Sequence, residues 1–443
     1  MSWKDIYNSR LMSAQEAAKI VQSGDRFWTP LLLGQPSMLI MDAIADRKDE
    51  LKNVEYCFAL VLRPYKIFKP EYRDTFKLVC GFYSTPHLQE LAKTEWSNFW
   101  PAQSSDISIK NMHRQRTYPR RGGIILQVTP PDEHGYVCLG LDTFYTEQIM
   151  DQSDWIIGEV NPNMPRTYGQ TNFHVSRFTA FVDNPNPIIA VPTPPPSDVE
   201  TKMAENVVKL LRDRDCIQVG IGAVPAMISK LLEHSGLRDM GIHTEMAPAG
   251  THKLVEKGVI TCKYKKVNTG KIILAFTMGD KELYDFLANN PMVEFRPTIY
   301  ANYIPTLAQE ENLVAINGSI EVDLTGQIVS ESVGNLMRTG SGGQLDFVIG
   351  SFWSKGGRAI NLVPATTLND TVSRIVPYVS WGSRVTVPRH YAGYIVTEYG
   401  VADLYGRSEP ERAEELIKIA HPKFREELEK AGRERGLIKK KTF

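Results

Sequence analysis

The chain has 443 residues, 42% hydrophobic and 23% charged, and Lys+Arg and Asp+Glu both number 51. That length predicts two or three domains with sizeable cores, and the zero net charge leaves no electrostatic footprint for nucleic acid or an anionic membrane. No run approaches the roughly 18 apolar residues of a membrane span, and the polar N-terminal MSWKDIYNSRLMSAQ lacks the apolar centre of a signal peptide.

In chain order, Asp25 opens DRFWTPLLLGQPSMLIMDAI, which reads as a strand, a turn and a helix over PSMLIMDAIADRKDELK. Strands are predicted at VEYCFALVL, GIILQV, WIIGEV and IIAV. Six prolines between Pro185 and Pro196 make a stiff linker and predict a cut into residues 1–190 and 197–443. Beyond it TKMAENVVKLLRDR reads as a helix, and KIILAF, LVAIN, FVIG and AINLV read as strands. ERAEELIKIA is a helix opened by the capping box Ser408-x-x-Glu411, with Pro410 in its first turn. Such alternation predicts an α/β fold with mostly parallel sheets.

The halves echo each other. Asp25 and its strand match Asp215 and DCIQVGIGAVPAMISKLL. Asp132-x-x-Gly135-x-Val137 matches Asp323-x-x-Gly326-x-Ile328, and Gln152-x-Asp154-x-x-Ile157-Gly158 matches Gln344-x-Asp346-x-x-Ile349-Gly350. Matches in order at nearly constant spacing predict an internal duplication into two similar domains.

Ligands of open α/β sheets bind beyond the carboxyl ends of strands. Three segments qualify. In VGIGAVP, Gly220 and Gly222 let backbone approach a ligand and leave N–H groups for an oxyanion or phosphate, or else form a plain strand–helix turn with Pro225 first in the helix. In RTGSGGQLDF a flexible glycine loop precedes an apolar run, and its expected first-half counterpart, EQIMDQSDW, has no glycine. In GIHTEM, His243 and Glu245 would share one strand face, and Glu245 falls opposite Ala59 of the first half. EVNPNMPRTYGQTNFH reads as a long loop. The cluster His113, Arg114, Arg116, Arg120 and Arg121 reads as a solvated basic loop or as a site for a second carboxylate. Nine histidines without HxH or HxxxH spacing predict no metal site, and no GxSxG hydrolase elbow occurs. Five cysteines without CxxC or zinc spacing read as core residues of a cytoplasmic protein.

Taken together, VTPPDEHGYVCLG, EVNPNMPRTYG, VGIGAVP, GIHTEM, NPMVEFRP, AINGSIEVDLTGQI, GSGGQLDF and VTEYGVADLYGRSEPERAEELIKIAHPKFREEL resemble the acetyl-CoA hydrolase/transferase group of family I CoA-transferases across nearly the whole chain. The resemblance implies two similar α/β domains of the CoA-transferase type. The first would lie on the acyl-group side, and the second would carry a catalytic Glu245 and the CoA contacts. Those contacts are expected from Gly220, Ile221, Gly222, Ala223, Val224, Asn317, Gly340, Gly343, Gln344 and Lys355. The acyl group is expected near Gly34-Gln35-Pro36 and residues 164–169.

The implied activity is transfer of CoA between an acyl-CoA and a small carboxylic acid of the 4-hydroxybutyrate, butyrate or acetate type. CoA would be a substrate, with no permanently bound cofactor. The alternatives are an acyl-CoA hydrolase, a transferase for dicarboxylic acids, an isomerase or deaminase of the same general fold, and a non-enzymatic CoA sensor. Where relatives often follow HTEM with Ser-Asp-Gly, this chain has Ala247-Pro248-Ala249, which bears on the acyl substrate. A homodimer or homotetramer is expected from base rates.

Overall fold

The computed structural model describes residues 1–438 apart from Ser84, Thr193 and Ile221. Ile221, one of the expected CoA contacts, therefore lies outside the described residues. The chain forms two compact units, Met1–Val191 with Ile273–Ala301 and Arg338–Gly340, and Pro192–Ile272 with Asn302–Met337 and Ser341–Phe443. The division is thus not a single cut in the proline-rich stretch, because two later segments return to the first unit.

The first unit is built on a seven-stranded sheet. Its strands are β1 (Arg26–Trp28), β2 (Val54–Phe58), β3 (Phe76–Cys80), β4 (Ser97–Phe99), β5 (Gly122–Val128), β6 (Trp155–Val160) and β7 (Ala180–Asp183), in the order β4-β3-β2-β1-β5-β6-β7. Every pairing is parallel. The strands are near-continuously buried, as a parallel sheet covered on both faces requires. Helix α1 (Met38–Ala45) follows β1, and Ser37 caps it by accepting the N–H of Leu39.

The second unit carries β8 (Cys216–Val219), β9 (Gly241–Ile242), β10 (Leu313–Gly318), β11 (Arg358–Leu362), β12 (Tyr394–Thr397) and β13 (Gly400–Asp403), in the order β9-β8-β10-β11-β12-β13. Only the last pair is antiparallel. Its helices include α2 (Asp198–Val208), α3 (Ala223–Leu232), α4 (Gln344–Trp353) and α5 (Glu409–Ile419). The Ser408/Glu411 capping box opens α5 as expected. Its Ala413, Leu416 and Ile417 join a core that includes Val322, Ile375 and Ile395.

Strand register confirms the duplication. Arg26 pairs with Glu55 in β2 and with Gly122 in β5, while Cys216 pairs with Gly241 in β9 and with Leu313 in β10. The five-strand order β2-β1-β5-β6-β7 recurs as β9-β8-β10-β11-β12. Backbone details recur too. Asn53 and Asp239 both take left-handed φ before their strands, and Gly135 and Gly326 take positive φ in matching turns. Asp132 accepts the N–H groups of His134 and Tyr136, and Asp323 those of Thr325 and Gln327.

Three expectations fail. The Gln152/Gln344 match does not hold, because Ile157-Gly158 lies in β6 whereas Ile349-Gly350 lies in α4. The true counterpart of β6 is β11, where Arg358 pairs with Val314 as Trp155 pairs with Gly123. FVIG is accordingly helix, since a short apolar run has no period to separate the two states. IIAV forms no strand; prolines on both sides leave Val191 a single backbone bond to Gly279.

Candidate active site

The carboxyl ends of β8, β9 and β10 gather the polar residues of the second unit. β9 is only two residues long, so the strand-alternation reading of His243 and Glu245 does not apply. His243 is fully buried and its N–H donates to the Ile217 carbonyl (3.2 Å), while Glu245, three residues past the strand, is half-buried. Beneath them the buried Lys265 ammonium donates to the carbonyls of Ile242 and Lys271, both at 2.9 Å, and so pins the end of the strand. Gly241 makes room for it, because a Cβ there would lie 2.7 Å from the Lys265 side chain.

After Glu245 the chain turns at once into the interior. Ala247 and Pro248 are buried, and the Pro248 carbonyl accepts from the Thr251 hydroxyl (2.6 Å) as a short helix begins.

The Glu245 carboxylate is held by a buried amide. Asn302 donates from Nδ2 to Oε1 at 2.8 Å and reaches Oδ2 of Asp346 at 3.3 Å. Both Asn302 and Asp346 are fully buried, and Asp346 sits in the first turn of α4. Gly343 caps that helix at φ −94°, a value open to any residue, but its missing side chain matters: a Cβ would lie 2.7 Å from Oε1 of Glu245.

Beside this group β8 runs into Gly220 and Gly222. Gly222 takes φ 131° and ψ −173°, a conformation reserved for glycine, and caps α3. Helix α3 begins at Ala223, so Pro225 is its third residue rather than its first. It still falls in the turn whose N–H groups have no partner within the helix. Asn317, at the end of β10, exchanges two hydrogen bonds with Gln218 of β8 (3.1 and 2.9 Å). Gln344 donates to Asn361 of β11 (3.0 Å). Gly220, Gly222, Ala223, Val224, Asn317, Gly343 and Gln344 therefore share this end of the sheet with Glu245.

Gly340, three residues before Gly343, is grouped with the first unit, where a Cβ would overlap the Gly81 carbonyl. One expected contact lies elsewhere in the second unit. Lys355 lies at the amino ends of β10 and β11, where its carbonyl accepts the Asn312 N–H and its ammonium pairs with Glu311 (3.4 Å). That is the opposite end of the sheet from Glu245. The asymmetry argued for the glycine loop also falls, because it rested on the failed Gln152/Gln344 match.

The basic cluster is architectural. Arg114 pairs with Glu55 (2.8 Å), Arg120 donates to the carbonyls of Gly24 and Asn53, and Arg121 pairs with Asp25 (2.7 Å), all at the amino ends of β1 and β2. Burial alone would raise the Glu55 carboxyl, but Arg114 and Arg26 hold it below its usual range. His113, Arg116 and Arg121 are exposed. The guanidiniums of Arg114, Arg120 and Arg121 are already engaged, which counts against the second-carboxylate reading.

In the first unit, Gly34-Gln35-Pro36 and residues 164–169 both pack on residues 140–142, Gly34 against Asp142 and Met164 against Gly140. Gln35 donates to the Leu60 carbonyl (2.8 Å), and Gln127 donates to the Gln35 carbonyl (2.6 Å). Glu159 is fully buried beneath this loop and accepts the N–H (2.6 Å) and hydroxyl (2.8 Å) of Ser37; burial pushes its carboxyl up. Arg166 is spent on the carbonyls of Pro130 and Tyr136.

Residues 1–192 match the acetyl-CoA hydrolase/transferase N-terminal domain, and residues 279–432 match the C-terminal domain of the same family. The chain is 36% identical to the 4-hydroxybutyrate coenzyme A transferase of Clostridium kluyveri, over 97% of this chain and 98% of that protein. The chain belongs to the acetyl-CoA hydrolase/transferase family. It is an enzyme of the CoA-transferase type. A second relative, the butyryl-CoA:acetate CoA-transferase of Anaerostipes caccae, is 34% identical over 97% of each chain. The crystal structure of RipA from Yersinia pestis superposes with a TM-score of 0.91 at 32% identity, covering 99% of this chain and 100% of that one.

Within the family frame, the sequence pointed to Glu245 and the glycine turns but missed Asn302 and Gln218. Asn302 lies in IYANYIP, a segment without motif or period, so no local signal marks it. Asp346 was noticed only as part of the spurious repeat.

Proposed function

We propose that this chain transfers CoA between an acyl-CoA and a short-chain carboxylic acid of the butyrate, 4-hydroxybutyrate or acetate type, through a thioester on Glu245. The observation that carries this reading is the Glu245 carboxylate held by a buried amide beyond the carboxyl end of β9, beside the glycine turn that opens α3. The acids named for the two relatives support the substrate class.

The Glu245 carboxylate attacks the thioester carbonyl, forming an acyl–glutamyl anhydride and releasing CoA thiolate. The thiolate attacks the glutamyl carbonyl, giving the Glu245–CoA thioester and the free donor acid. The acceptor carboxylate then runs the sequence backward, so the kinetics are ping-pong. Backbone N–H groups at residues 222–224 supply donors for the oxyanion on the acyl carbon, each worth about 3–4 kcal/mol when well placed. Gly220, Asn317 and Gln344 contact the CoA, whose distant binding energy assists the reacting end.

The five cysteines are free and buried, which supports a reducing, cytoplasmic setting. Among the described residues no helix is long and apolar enough to cross a membrane.

The test is incubation with acetyl-CoA or butyryl-CoA, digestion, and mass spectrometry of the Glu245 peptide. CoA on Glu245 supports the reading, and an unmodified peptide with an acyl-CoA that the enzyme turns over sinks it. Net thiol release that is independent of added acid would make the enzyme a hydrolase instead.

A further inference from the structure

Trp381 of the second unit is 93% exposed, yet the turn that carries it is firmly held. The Ser383 N–H donates to the Ser380 carbonyl (2.9 Å) across a turn centred on Trp381 and Gly382, and Gly382 takes φ 81°. The N–H and hydroxyl of Ser380 both donate to the Glu321 carboxylate at 2.7 Å. On the other side the Ser383 hydroxyl accepts the Gly334 N–H, and the Ser332 hydroxyl accepts the Arg384 N–H, both at 2.9 Å. At 93% exposure both faces of the indole are open to solvent. The turn therefore displays a bare aromatic ring on a fixed support.

A cation stands on the same turn. Nη1 of Arg384 donates to the carbonyls of Gly334 (3.1 Å) and Gly382 (2.9 Å), which fixes its guanidinium. The residue is exposed, so its remaining N–H groups are open to an oxyanion. Glu331, whose charge Arg384 feels, is half-buried and already accepts from the Thr386 hydroxyl (3.0 Å).

The turn is tied to the active-site end of the sheet. Gln344 Nε2 reaches the Ser319 hydroxyl at 3.5 Å, Ser319 directly follows β10, and Glu321, which holds Ser380, is two residues further on. Two residues span at most about 7 Å. Gln344 in turn adjoins Gly343, where a Cβ would meet Glu245. A short run of contacts within one unit thus joins the carboxylate to the indole. CoA has roughly 17 bonds in line between its sulfur and its ribose, about 20 Å at the spacing of an extended chain.

We infer that the nucleotide end of CoA docks on this turn, with its adenine stacked on Trp381 and a phosphate on Arg384. This rests on the CoA chemistry proposed at Glu245. The adenine offers a π-face to the open indole, and the phosphates offer the oxyanions that a fixed guanidinium takes. Being remote from the thioester, this contact supplies binding energy that the reacting end can use.

The test compares butyryl-CoA with butyryl-pantetheine, which carries the same thioester and no nucleotide. Trp381→Ala is expected to lower kcat/KM for butyryl-CoA by about 5- to 150-fold, the range for loss of one base–aromatic stack. The same variant should match the wild type on butyryl-pantetheine. Trp381→Phe keeps a ring and should recover most of the loss. Titration with free CoA, followed by tryptophan fluorescence, reads the stack without turnover: CoA should quench the wild type, and Trp381→Phe should remove that quenching. Arg384→Gln should weaken CoA binding and flatten its dependence on salt.

A wild-type kcat/KM for butyryl-CoA in Trp381→Ala overturns the inference and leaves Glu245 standing. An equal loss with both esters also overturns it, because that marks a disturbed fold rather than a lost contact. So does a change of sedimentation coefficient with kcat/KM intact, which would mean that a second copy of the chain covers the indole. Unchanged salt dependence in Arg384→Gln overturns the phosphate contact. If the wild-type enzyme forms no Glu245 adduct, the Glu245 reading falls by itself, and the fluorescence titration still decides for or against the nucleotide on this turn.

Discussion

Gly343 and Glu245 stand so close that a single added carbon would separate them: a Cβ on Gly343 would lie 2.7 Å from Oε1 of Glu245. The backbone at Gly343 has φ −94°, so alanine meets no conformational penalty and the whole conflict is spatial. Gly343→Ala must therefore displace Glu245 or Asn302. A shift of about 1 Å at a reacting group costs on the order of 10²-fold. CoA-exchange activity should fall by at least about that factor, while the thermal midpoint, by differential scanning, stays within a few degrees. An alanine variant with near wild-type turnover would show that this arrangement is not the one that acts.

The fold was legible where the sequence carried a pattern that backbone geometry enforces. Asp25 and Asp215, and the Asp132 and Asp323 turns, mark backbone that repeats; the strand registers confirm the first pair and matching hydrogen bonds the second. The register also sets Glu245 opposite Ala59, so the carboxylate is an addition to the repeated framework rather than a part of it. The Gln152/Gln344 match shared residue types without sharing a conformation. Asn302 reaches Glu245, and Asp346 reaches Asn302, from distant parts of the chain, and no spacing announces such a meeting. Lys355 and the arginine cluster show a related limit: their charge is visible in sequence, but the end of the sheet on which they sit is not.

The arginine cluster yields a prediction of its own. Arg26 is buried beside Glu55, and Arg114 reaches the same carboxylate. Removing one partner of a buried pair leaves the other charge uncompensated, which costs about 3–5 kcal/mol. Glu55→Ala should lower unfolding stability by that order in a denaturant titration. If the cluster is purely architectural, the ratio of monocarboxylate to dicarboxylate turnover should be unchanged. A shift in that ratio, with stability intact, would return the arginines to substrate binding.

Lys355 tests the placement of CoA. Its side chain is 85% exposed and pairs with Glu311 at 3.4 Å, at the amino end of the sheet. An exposed pair of this kind contributes about 0–1 kcal/mol. Lys355→Ala is expected to leave both the KM for acyl-CoA and the stability close to wild type. A rise in KM of about tenfold or more would mean that CoA extends to a face this reading leaves empty.

Asp142 gives a pH signature in the first unit. It is fully buried, accepts the N–H groups of Phe144 (2.7 Å) and Leu31, and burial pushes its carboxyl up to about 7. An unfolded aspartate titrates near 3.9, so both states are protonated below about pH 4 and both ionised well above 7. Between these limits the unfolded chain has lost its proton and the native chain has not. Stability from this group therefore falls as pH rises, by about 1.4 kcal/mol per unit at most. Asp142→Asn cannot ionise and removes that slope. It also leaves one of the two N–H groups without a full acceptor, at a cost of about 1–3 kcal/mol. The variant should thus be the less stable protein near pH 4.5, and its deficit should shrink or reverse by pH 7.5. Burial also raises Glu159, Glu310 and Asp215, but they occur in both proteins and cancel in the difference. Denaturant titrations of the two proteins at pH 4.5, 6 and 7.5 would read it. A gap between them that stays constant across the range would mean that Asp142 is ionised in the native fold throughout, with its two N–H donors outweighing its burial.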